Sequence, residues 1–315
     1  MTKAAFIAGD WGTTNLRLFL VDDDSTVRAA ADGPGVAQVP GRFDSVLTEL
    51  TSSWRQEHGP LPVILCGMVG STIGWMNVPY VPCPAPPARI AGAMASIAER
   101  SVFIAPGLSC RNRYGAPDVM RGEETQILGA LHQNPSLARG RHLLCLPGTH
   151  AKWVVLRDSS VEEFLTAVTG ELFAVIDQHS VLVRAGDRPA GFDEAAFDAG
   201  VQRALSHPQA ALVHLLFECR SRQVTGDLAR EQAPDFLSGL LIAHDVLGAL
   251  RLFTDVATGD SPVTIIANSS LAERYRRALQ ALRMNTAIVD GSQASLGGLT
   301  LLHSIRFSTG GVHAD

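Results

Sequence analysis

The stretch GDWGTTNLRLFLVD, Gly9 to Asp22, sets an acid, an aromatic ring, a glycine and two threonines between two apolar runs. Apolar, strand-favouring residues on both sides of Gly12 predict strand, turn, strand. A plain hairpin needs only the glycine. Asp10, Thr13, Thr14, Asn15 and Arg17, at or beside the tip, ask for a chemical reason. A Gly-containing bend offers backbone N–H groups and, here, threonine hydroxyls, a donor set that suits phosphate oxygens. Asp10 would repel a phosphate directly. It fits if Mg²⁺ lies between them through water, since that ion usually keeps several of its waters.

A second stretch has the same plan. FIAGDWGTTNLRLFLVDDDSTVRAA lies beside HLLCLPGTHAKWVVLRDSSVEEFLTA, with Gly12-Thr13 falling on Gly148-Thr149. Each bend leads into an apolar strand, an Asp-containing turn and a further strand. The repeat suggests two homologous halves, each bringing one turn to a nucleotide; a chance likeness of two hairpins is the alternative. In the second bend Lys152 would add a point charge to the phosphates, and His150, with no positioned partner visible, reads as a hydrogen-bonding residue.

Composition sets the limits. A chain of 315 residues with 46% hydrophobic and 18% charged residues can bury a sizeable core in one large or two ordinary domains. A net charge of −5 and scattered basic residues argue against general nucleic-acid binding. The cluster Arg274, Arg276 and Arg277 lies on an expected helix and reads as a solvated face. Five widely spaced cysteines, none in a C-x-x-C pair, suit reduced thiols in a cytoplasmic protein. Met1-Thr2-Lys3 runs straight into strand-like residues, too short a lead for a signal peptide. Neither a membrane nor a nucleic-acid partner is expected, and a homodimer is left open.

The periodicity of Phe43, Val46, Leu47, Leu50 and Trp54 predicts a helix, and LPVILCGM a buried strand. From APDFLSGLLIAHDVLGALRLF onward the chain reads as helix, then strand PVTIIAN, then helix SSLAERYRRALQAL with Ser270 and Glu273 at capping-box spacing. Two further strings stand out. In DVMRGEETQ, Glu123 and Glu124 precede an apolar-periodic helix. They are either an acidic first turn that complements the helix dipole, or they include the general base that takes a proton from an attacking hydroxyl. Arg121 could pair with a substrate carboxylate through two parallel hydrogen bonds, or form a salt bridge to Glu124 or Asp118. The Gly- and Pro-rich loop GMVGSTIGWMNVPYVPCP carries Trp75, which either stacks on a sugar-like carbon chain or anchors the loop in the core.

DWGTTNLR, GMVGS, PYVPCP, PDVMRGEETQ, LPGTHAKWV, TGELF, LSGLLI and SLAERYRRAL together resemble the 2-dehydro-3-deoxygalactonokinase family, sugar-acid kinases of the actin/hexokinase/Hsp70 superfamily. The resemblance runs from about residue 6 to 300 and is most specific in MRGEETQ and LPGTHAKWV. It implies an α/β fold of two ribonuclease-H-like (actin-like ATPase) domains, mixed sheets flanked by helices, with a nucleotide cleft between them. The expected division is 1–120 and 121–295, with a terminal helix over 296–315 returning to the first domain. The implied reaction moves the γ-phosphate of ATP, with Mg²⁺, to the 6-hydroxyl of 2-dehydro-3-deoxy-D-galactonate. Asp10 to Arg17 match the first phosphate motif, Gly148 to Lys152 the second, and Ala267-Asn268 the adenosine segment. GEETQ is similar to the G-D-Q-Q string of related sugar kinases, which puts the base on Glu123 rather than Glu124. Arg17, Trp75 and Arg121 become the candidates for holding the sugar acid. Three departures stand against the pattern: no glycine near Ala267-Asn268, Thr72-Ile73 where Arg-Gln is expected, and Asn77 where an acid is expected. Two rivals therefore stay in view, a kinase for a different sugar or sugar acid and an ATP-dependent switch protein that is not an enzyme.

Overall fold

The computed structural model describes residues 3–183, 191–257 and 261–308. The chain divides into two compact units, the first comprising Met1–Arg141, Leu156–Glu163 and Gly291–Asp315, the second His142–Val155 and Phe164–Asp290.

In the first unit β1 (Ala4–Trp11) pairs antiparallel with β2 (Asn15–Asp22), and β2 with β3 (Val27–Pro34). After α1 (Phe43–His58), β4 (Val63–Cys66) returns parallel to β1. Then follow β5 (Val81–Pro82), α2 (Pro87–Gly92), β6 (Ala95–Ile97), β7 (Val102–Ile104), β8 (Leu108–Arg111), β9 (Pro117–Met120) and α3 (Glu123–Gln133). The main sheet has the order β3-β2-β1-β4-β7-β6, and β5-β8-β9 form a small one. β1 is apolar on both faces because both are covered. Trp11 meets Phe43 of α1 edge to face on one side, and Phe6 packs on the other. α1 buries Phe43, Val46 and Leu47, the face its periodicity predicts.

The second unit is built on β10 (Arg141–Leu146), β11 (Ala151–Arg157) and β12 (Ser160–Ala167). Helices α4 (Thr169–His179), α5 (Glu194–Ser206), α6 (Leu212–Leu216), α7 (Glu218–Thr225) and α8 (Ala233–Leu252) follow, then β13 (Val263–Ala267), α9 (Ser269–Ala281) and β14 (Thr286–Asp290). The sheet order is β12-β11-β10-β13-β14, with β13 parallel to both its neighbours. This repeats the β3-β2-β1-β4-β7 order of the first unit, so the two Gly-Thr bends occupy the same place in one topology. The segment Arg230–Leu252, which contains α8, is long and apolar enough by length and composition to cross a membrane, but 67% of its apolar window is buried. α8 packs against α4, α5 and α9 as a core helix. α9 starts two residues before the expected capping box. Asn268 caps it by accepting the Leu271 N–H, while Glu273 pairs with Arg276.

The last helix, α10 (Gly291–Ser308), belongs to the first unit and packs along α3; residues 309–315 of the expected terminal segment lie outside the described residues. The boundary expected at residue 120 is corrected to Arg141, because α3 buries its apolar face against α10 within the first unit. His303 of α10 stacks on Phe6 at 4.1 Å between ring centroids. The crossing of α3 and α10 depends on missing side chains. A Cβ on Gly129 would lie 1.7 Å from the Ala294 carbonyl oxygen, and one on Gly298 1.9 Å from that of Thr125. Gly129→Ala is expected to cost about 1–3 kcal/mol by overpacking. A denaturant midpoint equal to the parent's would contradict that packing account.

Candidate active site

In the first unit the candidate residues gather where β1 and β4 end and α3 begins, the carboxyl ends of parallel strands, where open α/β sheets place ligands. The Gly12–Asn15 bend is held from behind. Val36, Ala37 and Gly35 donate their N–H groups to the carbonyls of Gly12, Thr13 and Thr14 at 3.0, 3.2 and 3.1 Å, and Gln38 Nε2 adds a bond to Thr14 at 3.1 Å. A Cβ at Gly35 would stand 2.3 Å from the Thr13 oxygen, so only glycine passes here. With its carbonyls occupied, the bend leaves Thr13, Thr14 and Asn15 exposed.

Asp10 sits opposite Arg17 in the β1–β2 register and opposite Cys66 in the β1–β4 register. Its carboxylate accepts from Ser295 Oγ of α10 at 3.2 Å and from the Cys66 thiol. Burial raises its pKa, opposed by these bonds and by the Arg17 charge. Gly67, at φ 89°, passes so close that a Cβ would lie 3.3 Å from Asp10 Oδ1. Arg17 donates to Ser292 Oγ at 2.9 Å.

Glu123 and Glu124 part company at once. Glu123 is half-buried and accepts the Arg121 N–H at 3.0 Å. Glu124 is wholly buried, accepts the Gly122 N–H at 2.6 Å and lies 3.1 Å from Thr125 Oγ1. Burial pushes its pKa up to about 8, reinforced by the charge of Glu123. Thr125 also reaches the Cys66 thiol, so a hydrogen-bonded chain runs from Glu124 to Asp10. Both acids take a backbone N–H just ahead of α3, as an acidic first turn would, but only Glu123 is accessible. The sign of the Glu124 effect follows from linkage. The folded pKa of about 8 exceeds the ordinary 4.5, so the folded protein holds the proton through that window and stability falls as pH rises across it. The slope approaches about 1.4 kcal/mol per pH unit. Gln in its place copies the protonated acid, with an oxygen for Gly122 and an amide for Thr125. Glu124→Gln is therefore expected to flatten the Tm-against-pH curve above pH 5, and an unchanged slope would refute the assignment.

Arg121 stacks on Tyr80, 4.4 Å from the ring centroid, and its Nη2 donates to the Val78 carbonyl at 2.7 Å. Its Nε and Nη1 are buried and meet no hydrogen-bond partner. Neither expected salt bridge, to Glu124 or Asp118, is among its contacts; Asp118 instead accepts from Asn112 Nδ2 at 3.2 Å. Trp75 lies against Phe43 with ring centroids 6.3 Å apart, and its backbone N–H donates to the Val69 carbonyl at 2.8 Å. That contact ties the Gly-rich loop to the core of the first unit.

The second unit repeats the backing of its bend. Glu171 N–H donates to the Thr149 carbonyl at 2.9 Å, Lys152 Nζ to that of His150 at 2.9 Å, and a Cβ at Gly170 would stand 2.3 Å from the Gly148 oxygen. Lys152 is 3% exposed, so its ammonium braces the turn from behind instead of standing free before it. His150 has a partner that the linear sequence hides, Glu171, at 2.7 Å. A Cβ on Gly148 would touch no atom, and Gly148 opens on a cavity of about 310 Å³. Its walls include Thr169 and Gly170 of α4, Pro234 and Ser238 of α8, and Leu271 and Tyr275 of α9. Ala267 ends β13 buried and Asn268 serves as the α9 cap, so the helix beyond them, not the pair itself, lines the cavity.

Arg274 corrects the solvated-face reading. It donates to Ser238 Oγ at 2.8 Å, pairs with Asp235 at 3.2 Å and covers the Phe192 ring at 4.2 Å. It stands three residues after Leu271 and four before Ala278, on the inward stripe of α9, a spacing that could have revealed it. Arg276 pairs with Glu273 along α9, and Arg277 with Asp198 and Glu194 of α5, so neither is a freely solvated charge. Asp235, Ser238, Thr169 and Asp245 carried no signal beyond their place in apolar or motif strings.

Two units of one strand order, each with a Gly-Thr bend braced from behind and one with an open cavity beside its bend, define an α/β protein of the actin-like ATPase and sugar-kinase class. The chain belongs to the 2-keto-3-deoxy-galactonokinase family, whose model matches residues 10–302. It is 38% identical over 304 residues to the 2-dehydro-3-deoxygalactonokinase of Escherichia coli K12, covering 96% of this chain and 99% of that protein. The crystal structure of a Sinorhizobium meliloti protein assigned provisionally to the same activity superposes with a TM-score of 0.86 at 36% identity, covering 96% of this chain and 99% of that one. At 12% identity and a TM-score of 0.51, the Clostridium difficile activator of 2-hydroxyisocaproyl-CoA dehydratase, with bound ADPNP, shares the fold; the match covers 98% of each chain.

Proposed function

We propose that the protein is an ATP-dependent kinase that phosphorylates the 6-hydroxyl of 2-dehydro-3-deoxy-D-galactonate, a reading supported by the family and by the name of its Escherichia coli relative. The observation that carries it is the pairing at the head of α3. An accessible Glu123 stands two residues from an arginine with two buried N–H groups that lack an acceptor. Each unmatched donor costs about 1–3 kcal/mol; both nitrogens are covered, with Gly70 against Nη1, so a carboxylate oxygen reaches them, and removes that cost, once the loop carrying Gly70 shifts. Arg121 thus suits the acid end of the substrate and Glu123 the hydroxyl end.

In this reading Glu123 accepts the O6 proton as O6 attacks the γ-phosphorus and the bond to the ADP oxygen breaks. Adenosine occupies the cavity of the second unit, and the exposed donors of the Gly148 bend beside it take the phosphates, while the Gly12 bend of the first unit offers the same kind of donor set. Mg²⁺ would be held by Asp10 through water and would supply charge neutralisation on the phosphate oxygens. The fit is that of one carboxylate to a metal carried on the nucleotide. Among the described residues no group of three or more His, Cys, Asp and Glu could cage an ion. Arg17 would complete the substrate contacts. A cytoplasmic setting accords with five free cysteines.

One observation favours a neighbouring acceptor as a second reading. The loop carrying Thr72, Ile73 and Asn77 reaches Arg121 at Val78, and Gly70 lies beside its Nη1. Residues that depart from the expected pattern therefore flank the proposed carboxylate site. ADP release measured with 2-dehydro-3-deoxygalactonate, with 2-keto-3-deoxygluconate and with no acceptor separates the cases. The highest kcat/KM is expected with the first. Preference for the second moves the assignment to that sugar acid, and ADP release independent of acceptor overturns the kinase reading.

A further inference from the structure

We propose that Asp245 is a positioning residue for nucleotide binding, an acceptor that locks two walls of the second unit's cavity to the strand leaving the Gly148 bend. The inference rests on the reading of that cavity as the nucleotide site. Asp245 lies in α8 and does not line the cavity. Trp153 Nε1–H of β11 donates to its Oδ1 at 2.8 Å, while Thr169 Oγ1 and the Tyr275 hydroxyl meet Oδ2 at 2.9 and 2.6 Å. Thr169 and Tyr275 do line the cavity, from α4 and α9. Three elements therefore converge on one carboxyl group carried by a fourth.

The chemistry asks for a carboxylate. An indole N–H can only donate, and an ionised carboxylate offers acceptor sites on both oxygens and presents no competing donor. Asparagine keeps an oxygen for Trp153 but presents an NH₂ on the other side, so the Thr169 and Tyr275 hydroxyls would have to turn from donors to acceptors and give up the geometry they hold now. Burial opposes the charge on Asp245, and the three hydrogen bonds oppose that shift in turn. A carboxyl group buried at such a cost among neutral partners serves the geometry its three hydrogen bonds hold, not net stability. The geometry held is that of the bend. Gly170, next to Thr169, packs on the Gly148 carbonyl, so a shift of Thr169 moves the turn that would face the phosphates.

Asp245→Asn is expected to raise the KM for ATP about tenfold, leaving the KM for the sugar acid unchanged and kcat within about threefold. A merely structural role would lower the folded fraction, and with it kcat, while leaving both KM values alone. Thr169→Val and Tyr275→Phe each remove one donor with little change of shape and should raise the same KM by smaller factors. Thr169→Ser, which keeps the hydroxyl, should rescue it. These variants carry the test if Asp245→Asn fails to fold. An unchanged KM for ATP across the set, or equal rises for both substrates, overturns the proposal. Ser238→Trp, which fills the cavity, tests the underlying reading separately. ATP affinity that survives this substitution removes the nucleotide from the cavity, whereas affinity lost there but unchanged in the Asp245 set rejects the positioning role alone.

Discussion

Replacing Glu123 by Gln is expected to lower kcat by about 10²–10⁴-fold, the usual contribution of a general base, with the affinity for ATP barely changed. Gln keeps the size of the side chain and an oxygen for the Arg121 N–H, so α3 and the adjoining turn should hold their shape. What it loses is the capacity to take a proton from the attacking hydroxyl. Steady-state kinetics beside calorimetric ATP binding separates these effects, because loss of an interaction made only in the transition state lowers kcat and kcat/KM together. The control is Glu124→Gln, whose carboxyl group is buried beyond substrate reach and should leave kcat near the parent value. If Glu124→Gln alone abolishes turnover, the base has been placed on the wrong glutamate.

Asp10→Ala should reduce turnover by about 10³-fold or more, equivalent to several kcal/mol of lost charge stabilisation. Asp10→Asn should do nearly as much damage, since it keeps an acceptor for Ser295 and loses only the charge. The stability effect has the opposite sign. The folded pKa of Asp10 is raised above the ordinary 3.8, so its ionisation destabilises the fold as pH rises through that window, and at neutral pH the cost is present. Asn removes it. An inactive Asp10→Asn protein with an equal or higher Tm would mark the residue as one kept for function at the expense of stability. Activity near the parent level at ordinary Mg²⁺ would exclude the role.

These two residues also show how far the linear order could be read. Glu123 and Glu124 are neighbours of one type, and helix geometry says only that they point apart. Which of them meets solvent depends on where α10 lies against α3, through contacts such as Gly129 on Ala294 and Gly298 on Thr125 that join segments distant in sequence. The resemblance implies Glu123 as the base; burial separates the two acids, with Glu124 inside and Glu123 accessible. A cluster of arginines suggests a wet surface, but the acids and rings that cover Arg274, Arg276 and Arg277 come from elements distant in sequence or from a neighbouring turn, which the cluster itself does not show. Lys152 follows the Gly148 bend closely enough in sequence to suggest a point charge for phosphates; that it is buried and donates to the His150 carbonyl follows only from the covered strand it belongs to.

Local signals were enough for the pattern of strands and helices around the two Gly-Thr bends, since alternation, helical period and turn chemistry act over a few residues. The carboxylate at the end of the first strand and the acids heading α3 could be found the same way. Tertiary structure alone decided the unpaired Arg121 donors, the bracing of each bend by a remote glycine, the partner of His150 and the convergence on Asp245. The reason is physical: desolvation and hydrogen-bond matching depend on which groups share an interior, and chain order does not carry that information.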